Sequence, residues 1–297
     1  MKSSHLALTF SLFALGCPAP AQQVERLGPD VALLFGSGGN VLIVNGPNGV
    51  VLIDDQRPND REETQAAIAQ VSTGPVRYVI DTHWHLDHSG GNGWNARAGA
   101  VIVSHFNVRA RRSAEQYMSA YDARIPPAPE FALPAITYEN AMDLRHGAET
   151  IQLRHVANAH TDGDTIVRLS NANVIHMGDV FFNGYFPFID RDSRGSVQGI
   201  IAALDRVLEV ADERTRIVPS HGPIATRAEL QAYRGMLHAI SEQVRGAIAA
   251  DQTRAQVLAS DILAPYRAGR EGDADGFLGA VYDCIAAEIA PRSGMVG

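Results

Sequence analysis

Four side chains able to ligate a metal fall within six residues, at His83-Trp84-His85-Leu86-Asp87-His88. The segment directly follows the β-branched run Val76–Asp81, which reads as a strand, so the ligands sit in a loop at a strand end and can aim at one point. Imidazole nitrogen and carboxylate oxygen are the donors that suit zinc, although iron or manganese could occupy the same ligands. Four such groups in so short a stretch exceed what one tetrahedral ion takes from a single segment, which points to two adjacent metals. The fold must therefore deliver a strand end into an open site.

The rest of the chain alternates short strands with helices. Val31–Phe35, Val41–Asn45 and Val50–Asp54 are β-branched runs, the last two joined by the hairpin signal Gly46-Pro47-Asn48-Gly49. Gly36-Ser37-Gly38-Gly39 looks like a phosphate loop, but no helix and no lysine follows it, and it reads as a strand connection. Asn59-x-x-Glu62 is expected to open a helix that ends near Val71 before Gly74-Pro75. Further strands are expected at Val101–Ser104, Thr150–His155, Thr165–Leu169, Asn173–Met177 and Arg216–Val218. Asn107–Tyr121 reads as a helix, residues 125–138 with four prolines as an irregular excursion, and Thr226-x-x-Glu229 as a capping box opening a long helix. Two more helices fill residues 253–290, and Cys284 falls on an apolar helical stripe as a core residue.

Residues 1–21 read as an export signal rather than as part of the fold. Lys2 supplies the positive start, Leu6–Leu15 is an apolar run too short to span a bilayer, and Ala19-Pro20-Ala21 is an A-x-A cleavage site. Ala14-Leu15-Gly16 puts its large residue in the wrong place for lipidation of Cys17. Removing 21 of the 297 residues leaves 276 with a net charge of −9, since Lys2 goes and no acid does. The product would begin at Gln22 and be periplasmic or secreted, with no stable membrane insertion. Lys2 is the only lysine, which excludes Schiff-base and pyridoxal-phosphate chemistry and a P-loop. The acidic balance argues against nucleic acid as a partner and leaves a small-molecule substrate.

The HxHxDH loop after a strand resembles the signature of the metallo-β-lactamase superfamily, and the later motifs follow in order. His160 in Ala159-His160-Thr161-Asp162-Gly163-Asp164, Asp179 in His176-Met177-Gly178-Asp179, and His221 in Pro219-Ser220-His221-Gly222-Pro223 match the family's third histidine, bridging acid and final histidine. The resemblance covers nearly all of residues 31–240. It implies a mixed α/β, four-layer αββα sandwich over 22–240, with helices at 241–297 packed on the same domain. It also implies two zinc ions, one on His83, His85 and His160, the other on Asp87, His88 and His221, with Asp179 available to bridge. Asp81 and Asp164 are expected to orient ligand imidazoles, whereas His105, His146, His155, His176 and His238 match no ligand motif.

On that reading a metal-bridging hydroxide attacks a polarised carbonyl, with Asp87 as the catalytic carboxylate that orients it. No G-x-S-x-G elbow is present. Export and the motif lines resemble the class B β-lactamases, so β-lactam hydrolysis is the first expectation. One departure is plain: the commonest subclass has Cys where Asp179 stands and Lys three residues later, where this chain has Phe182. Arg191 or Arg194 could substitute. The bridging Asp is instead similar to glyoxalase II and the lactonases, so thioester or lactone hydrolysis is the alternative. A flavodiiron-type oxidoreductase would carry Glu in place of His85, and an RNA-processing nuclease fits neither export nor the charge. Phe182, Asn183 and Tyr185 are the expected substrate contacts, and Tyr117, Met118 and Tyr121 a lid.

Overall fold

The computed structural model describes residues 23–290, so the leader Met1–Ala21, Cys17 and the start at Gln22 lie outside the described residues. Strands β1 (Val24–Arg26), β2 (Val31–Leu34), β3 (Val41–Gly46) and β4 (Gly49–Ile53) form an antiparallel meander, and Asn45 pairs with Val50 across the expected hairpin. After α1 (Arg61–Val71) the chain returns as β5 (Val76–Ile80), parallel to β4, because a crossover helix reverses direction twice. Two short helices, α2 (Leu86–Ser89) and α3 (Asn92–Arg97), lead to β6 (Val101–His105), also parallel.

The first departure from expectation follows. The helix α4 (Phe106–Arg112) stops nine residues short of Tyr121, and the chain folds back as a hairpin of β7 (Gln116–Met118) and β8 (Ala123–Ile125). Three causes act together. The Gln116 amide donates to the Arg111 carbonyl at 2.9 Å, closing off the helix end. Asp122, at φ 47°, makes the reversal. Asp192 accepts the Ser119 backbone N–H at 2.7 Å, and the Tyr121 ring packs 5.3 Å from Phe188. These tertiary partners outweigh the helical propensity of the segment. The excursion at 125–138 is irregular until β9 (Ile136–Tyr138), which adds a seventh strand beside β6. At α1 the N-cap is Asp60 with no side-chain cap, rather than a box opened at Asn59; the Asp60 carboxylate accepts from Ser37 Oγ instead.

The second sheet has five strands in the order β10 (Ala141–His146), β11 (Glu149–His155), β12 (Thr165–Leu169), β13 (Val174–His176) and β14 (Arg216–Val218). Helix α5 (Val197–Val210) crosses between its last two strands, and α6 (Arg227–Ala249), α7 (Arg254–Leu258) and α8 (Ala274–Ile289) follow. Thr226 and Glu229 form the expected capping box, and α6 continues through position 240.

Strand alternation builds the layers. Val51 and Ile53 of β4 face a core shared with Ile151, Leu153 and Val167 of the second sheet, while Val50 and Leu52 face α1. Burial on both faces explains why these strands are almost wholly apolar. The outer face of the second sheet, with Ile166 and Ile217, packs on Leu204, Leu237 and Val281 of three helices, and Cys284 is buried there. The result is the expected αββα sandwich, with the C-terminal helices on the same core. Asn40 ties the two sheets at one edge: its N–H donates to Ser220 O at 2.7 Å and its amide to Pro219 O and Gly222 O at 2.8 and 2.9 Å.

Candidate metal centre

At that edge, loops from both sheets converge. His83, His85, Asp87 and His88 follow β5; His160 lies between β11 and β12; Asp179 follows β13 and His221 follows β14. Their ligand atoms form two groups that could each hold an ion, His83–His85–His160–Asp179 and Asp87–His88–His221, with all atoms of a group within 4.8 Å. All seven residues singled out by motif come together.

Hydrogen bonds fix which nitrogen of each ring faces inward. His88 Nδ1 lies 2.9 Å from Asp54 Oδ2, and a carboxylate only accepts, so this nitrogen carries the proton. Thr82 Oγ1 donates to Asp54 at 2.8 Å and so accepts from His83 Nδ1 at 3.1 Å. His160 Nδ1 donates to the Phe188 carbonyl at 2.8 Å, and His85 Nε2 to Asp190 at 2.9 Å. Each of these four imidazoles thus spends one nitrogen on the scaffold and points the other inward, the usual arrangement of metal-ligating histidines.

The inward atoms then have no ordinary partners. His83 Nε2 and His160 Nε2 approach His85 Nδ1 to 3.1 and 3.0 Å, three bare lone pairs at contact distance. His88 Nε2 and Asp179 Oδ1 are buried without a hydrogen bond. The crowding of the three nitrogens of His83, His85 and His160 is unfavourable unless a cation lies between them. Asp179 serves both groups: Oδ2 is 3.8 and 3.5 Å from His83 and His160 Nε2, and Oδ1 is 3.4 Å from both His88 and His221 Nε2. Donor set and geometry fit a metal pair.

Charge divides the groups. Burial pushes the His83 imidazole well below its ordinary range, aided by charged His88, and burial takes His160 down to about 4. Burial also opposes charge on His88 and His221, but the carboxylates beside them prevail: Asp87 and Asp179 hold His88 well above its usual value and His221 at about 9. Burial would raise Asp87 and Asp179 in turn, yet the charged His88, with His221, keeps both well below the carboxylate range.

The backbone makes room for this crowding. A Cβ on Gly39 would stand 2.4 Å from His88 Cε1, and Gly178 holds φ 54° to turn Asp179 inward from β13.

The expected outer contacts are redistributed. Asp81 touches no ligand imidazole; its Oδ2 accepts from Asn92 at 2.9 Å, because the chain turns at Thr82 and Asp54 takes the place beside His88. Asp164 accepts the backbone N–H of His160 at 2.6 Å, so it acts on the main chain of that residue, and burial raises its carboxyl to about 8. Asp54, Thr82, Asp190 and the Phe188 carbonyl are partners that motif reasoning missed. Only Asp54, at a strand end beside the β5 loop, had a legible signal. His176 Nε2 donates to the Asn40 carbonyl at 3.2 Å, and His105 stacks on His155 at 3.7 Å, away from the centre.

A cleft of about 880 Å³ opens over the two groups. Phe182 and Tyr185 line it, the Phe182 ring stacked on His221 at 5.4 Å. Asn183 does not line it, since its amide donates to the Pro223 carbonyl at 3.0 Å. Met118 and Tyr121 line it, whereas Tyr117 donates to Asp122 on the hairpin at 2.8 Å. Neither Arg191 nor Arg194 reaches the cleft wall. Trp84 is buried behind the loop and donates to Ser193 at 2.9 Å, while Leu86 stays half-exposed on the wall.

The family model of the metallo-beta-lactamase superfamily matches residues 34–221, more than half of the chain. The chain belongs to the metallo-beta-lactamase superfamily. Enzymes of this superfamily are metal-dependent hydrolases acting on small molecules, and the chain is a hydrolase of that kind. Among solved structures, a metallo-beta-lactamase from Pontibacter korlensis is similar with a TM-score of 0.56 at 19% identity, over 73% of this chain and 99% of its own. The DIM-1 metallo-beta-lactamase gives 0.58 at 16% identity, over 74% of this chain and 98% of its own. The inverting sec-alkylsulfatase Pisa1 from Pseudomonas sp. gives 0.65 at 16% identity, over 88% of this chain and 50% of its own. At these identities the likeness is one of superfamily fold. Among the described residues, no helix is long and apolar enough to cross a membrane.

Proposed function

We propose that this superfamily member is an exported di-zinc hydrolase that cleaves a carbonyl substrate, with β-lactam amides as the first substrate class. His83, His85 and His160 would hold one ion and Asp87, His88 and His221 the other, with Asp179 between them. The observation that carries the reading is Asp179, whose two oxygens each face a different histidine group. Bound there, two zinc ions supply Lewis acidity for the carbonyl and for the attacking water.

The chain's own groups do the rest. Asp87 keeps 29% of its side chain exposed to the cleft and stays ionised, so it can accept a hydrogen bond from the attacking water and then its proton. Tyr185 lines the wall, and on this reading its hydroxyl is the donor to a developing oxyanion. Phe182 stacks on His221 and shields it from bulk water.

A second reading, thioester or lactone hydrolysis, is favoured by Phe182 itself, which occupies the position where the commonest β-lactamase subclass offers a cation to the substrate carboxylate. A side-by-side assay on zinc-quantified protein separates the two. A chromogenic cephalosporin, an aryl thioester and a γ-lactone are compared at equal concentration. Cephalosporin turnover supports the first reading, and thioester or lactone turnover without it replaces that reading by the second. Failure on all three by protein carrying two zinc ions per chain removes the carbonyl-hydrolase proposal.

Export rests on Lys2, the Leu6–Leu15 run and Ala19-Pro20-Ala21. The intact mass of protein recovered from outside the cytoplasm is expected to correspond to a chain starting at Gln22. A mass that includes residues 1–21 refutes cleavage at this site.

A further inference from the structure

The wall of the cleft is uneven. Met118 and Ile125 of the hairpin, Phe186 and Phe188 of the loop after Asp179, and Phe277 of α8 make an apolar stretch. A separate polar stretch comes from 36–38 and 57–59, where Arg57 is the sole Arg or Lys among the lining residues. The other charged side chains on the wall, the centre's histidines apart, are acids: Asp87 and Asp179 of the centre, and Asp273, which caps α8 by accepting from Gly276 N at 2.8 Å. Arg57 is exposed, and its guanidinium has no hydrogen bond or ion pair among the described residues.

The backbone that presents Arg57 is strained. Asp54 at φ 62° and Gln56 at φ 70° are both non-glycine residues in the left-handed region, both fully buried, two positions apart. Such conformations are costly and persist only where the surroundings enforce them, most often at functional sites. Here Gln56 Oε1 accepts from Gly38 N at 2.9 Å and its Nε2 donates to Gly39 O, clamping the turn to the 36–39 loop. Pro58 bars Arg57 from the helical region. The strain at Asp54 is accounted for by its hold on His88. The strain at Gln56 holds the 36–39 loop, whose Gly39 packs on His88, and the same turn places the next residue, Arg57, on the wall.

We propose that Arg57 is a specificity residue that receives an anionic group of the substrate, a carboxylate in the first instance, while an apolar limb lies against the Met118–Phe188 stretch. The inference rests on the hydrolase reading above and supplies the cation absent at Phe182. A guanidinium presents a planar fork of donors matched to a carboxylate or sulfonate. Arg191 is spent elsewhere, donating to Gly195 O at 2.7 Å.

The test compares zinc-loaded wild type with Arg57→Ala and Arg57→Glu on matched pairs: a cephalosporin and its methyl ester, and an aryl thioester with and without a carboxylate. Loss of a hydrogen-bonded charge partner is expected to lower the preference for the anionic member, as kcat/KM, by about tenfold in Arg57→Ala, chiefly through KM, and further in Arg57→Glu. An unchanged preference in both variants overturns the proposal. Binding gives a readout independent of turnover, using a naphthalene sulfonate and its neutral sulfonamide as fluorescent probes. Selective weakening of the sulfonate in Arg57→Ala supports the assignment even if no substrate in the panel is cleaved, and equal affinity changes for both probes refute it.

Discussion

Asp179→Ala is expected to abolish hydrolysis and to drop the zinc content of the purified protein from two ions per chain to one or none, with the fold intact. The carboxylate is 6% exposed and faces both histidine groups, so no other side chain can take over its position. It also compensates His88 and His221, whose raised pKa values depend on it. Several kcal/mol of metal-assisted stabilisation ride on an assembled pair, so kcat should fall by at least about a thousandfold. No hydrogen bond ties the Asp179 carboxylate to the strands and helices around it, so its removal costs the fold only its ion pairs with the centre's histidines. Near-UV circular dichroism should therefore match wild type. Two zinc ions per chain and a kcat within tenfold of wild type would show that the bridging role is wrong.

The second large effect is proton release on zinc loading at pH 7. His83 and His160 have lowered pKa values and present bare nitrogens, so the first ion displaces few protons from them. His88 and His221 are charged at that pH, the latter titrating near 9, so the second ion must expel about two protons. Calorimetric titration in buffers of different ionisation enthalpy reads this directly. The first equivalent should be nearly buffer-independent and the second strongly buffer-dependent, with affinity rising up to about pH 9. Equal release in both steps would refute the division of the site.

The sign for the metal-free protein follows from the same groups. His221, raised above its unfolded value, stabilises the fold fully below about pH 6.5, and that contribution is lost as pH climbs through about 9. Asp87 and Asp179, lowered, stabilise above about pH 4 and lose their contribution on acidification. Chelated protein should therefore show its ion-pair stabilisation between those limits, read as Tm against pH.

How much of this could be read beforehand depends on range. The 83–88 cluster is local, so spacing alone exposed it. His160, Asp179 and His221 are single residues in unremarkable loops and became legible only in register with a known pattern. Apart from Asp54, the partners of the ligands are not legible: Asp190 meets His85 across 105 positions, and nothing in its neighbourhood marks it. Asp81 is expected in a place that Asp54 fills: just past the end of β5 its carboxylate accepts from Asn92, whereas Asp54, from the end of the adjacent strand, reaches over to His88. The segment after Arg112 has helical composition and folds as a hairpin, since Gln116, Asp122 and Asp192 act through contacts that propensity does not register. Strand β10 does carry a signal, the alternation of Met142, Leu144 and His146 with exposed neighbours, but it is short and adjoins the proline-rich stretch.

Each ligand group draws on both halves of the sandwich: His83 and His85 meet His160 and Asp179, and Asp87 with His88 meets His221. Neither half of the polypeptide owns a complete coordination set. On the proposed reading, ion capture would come late in maturation, after the halves have docked, and each ion would then rivet them across the seam.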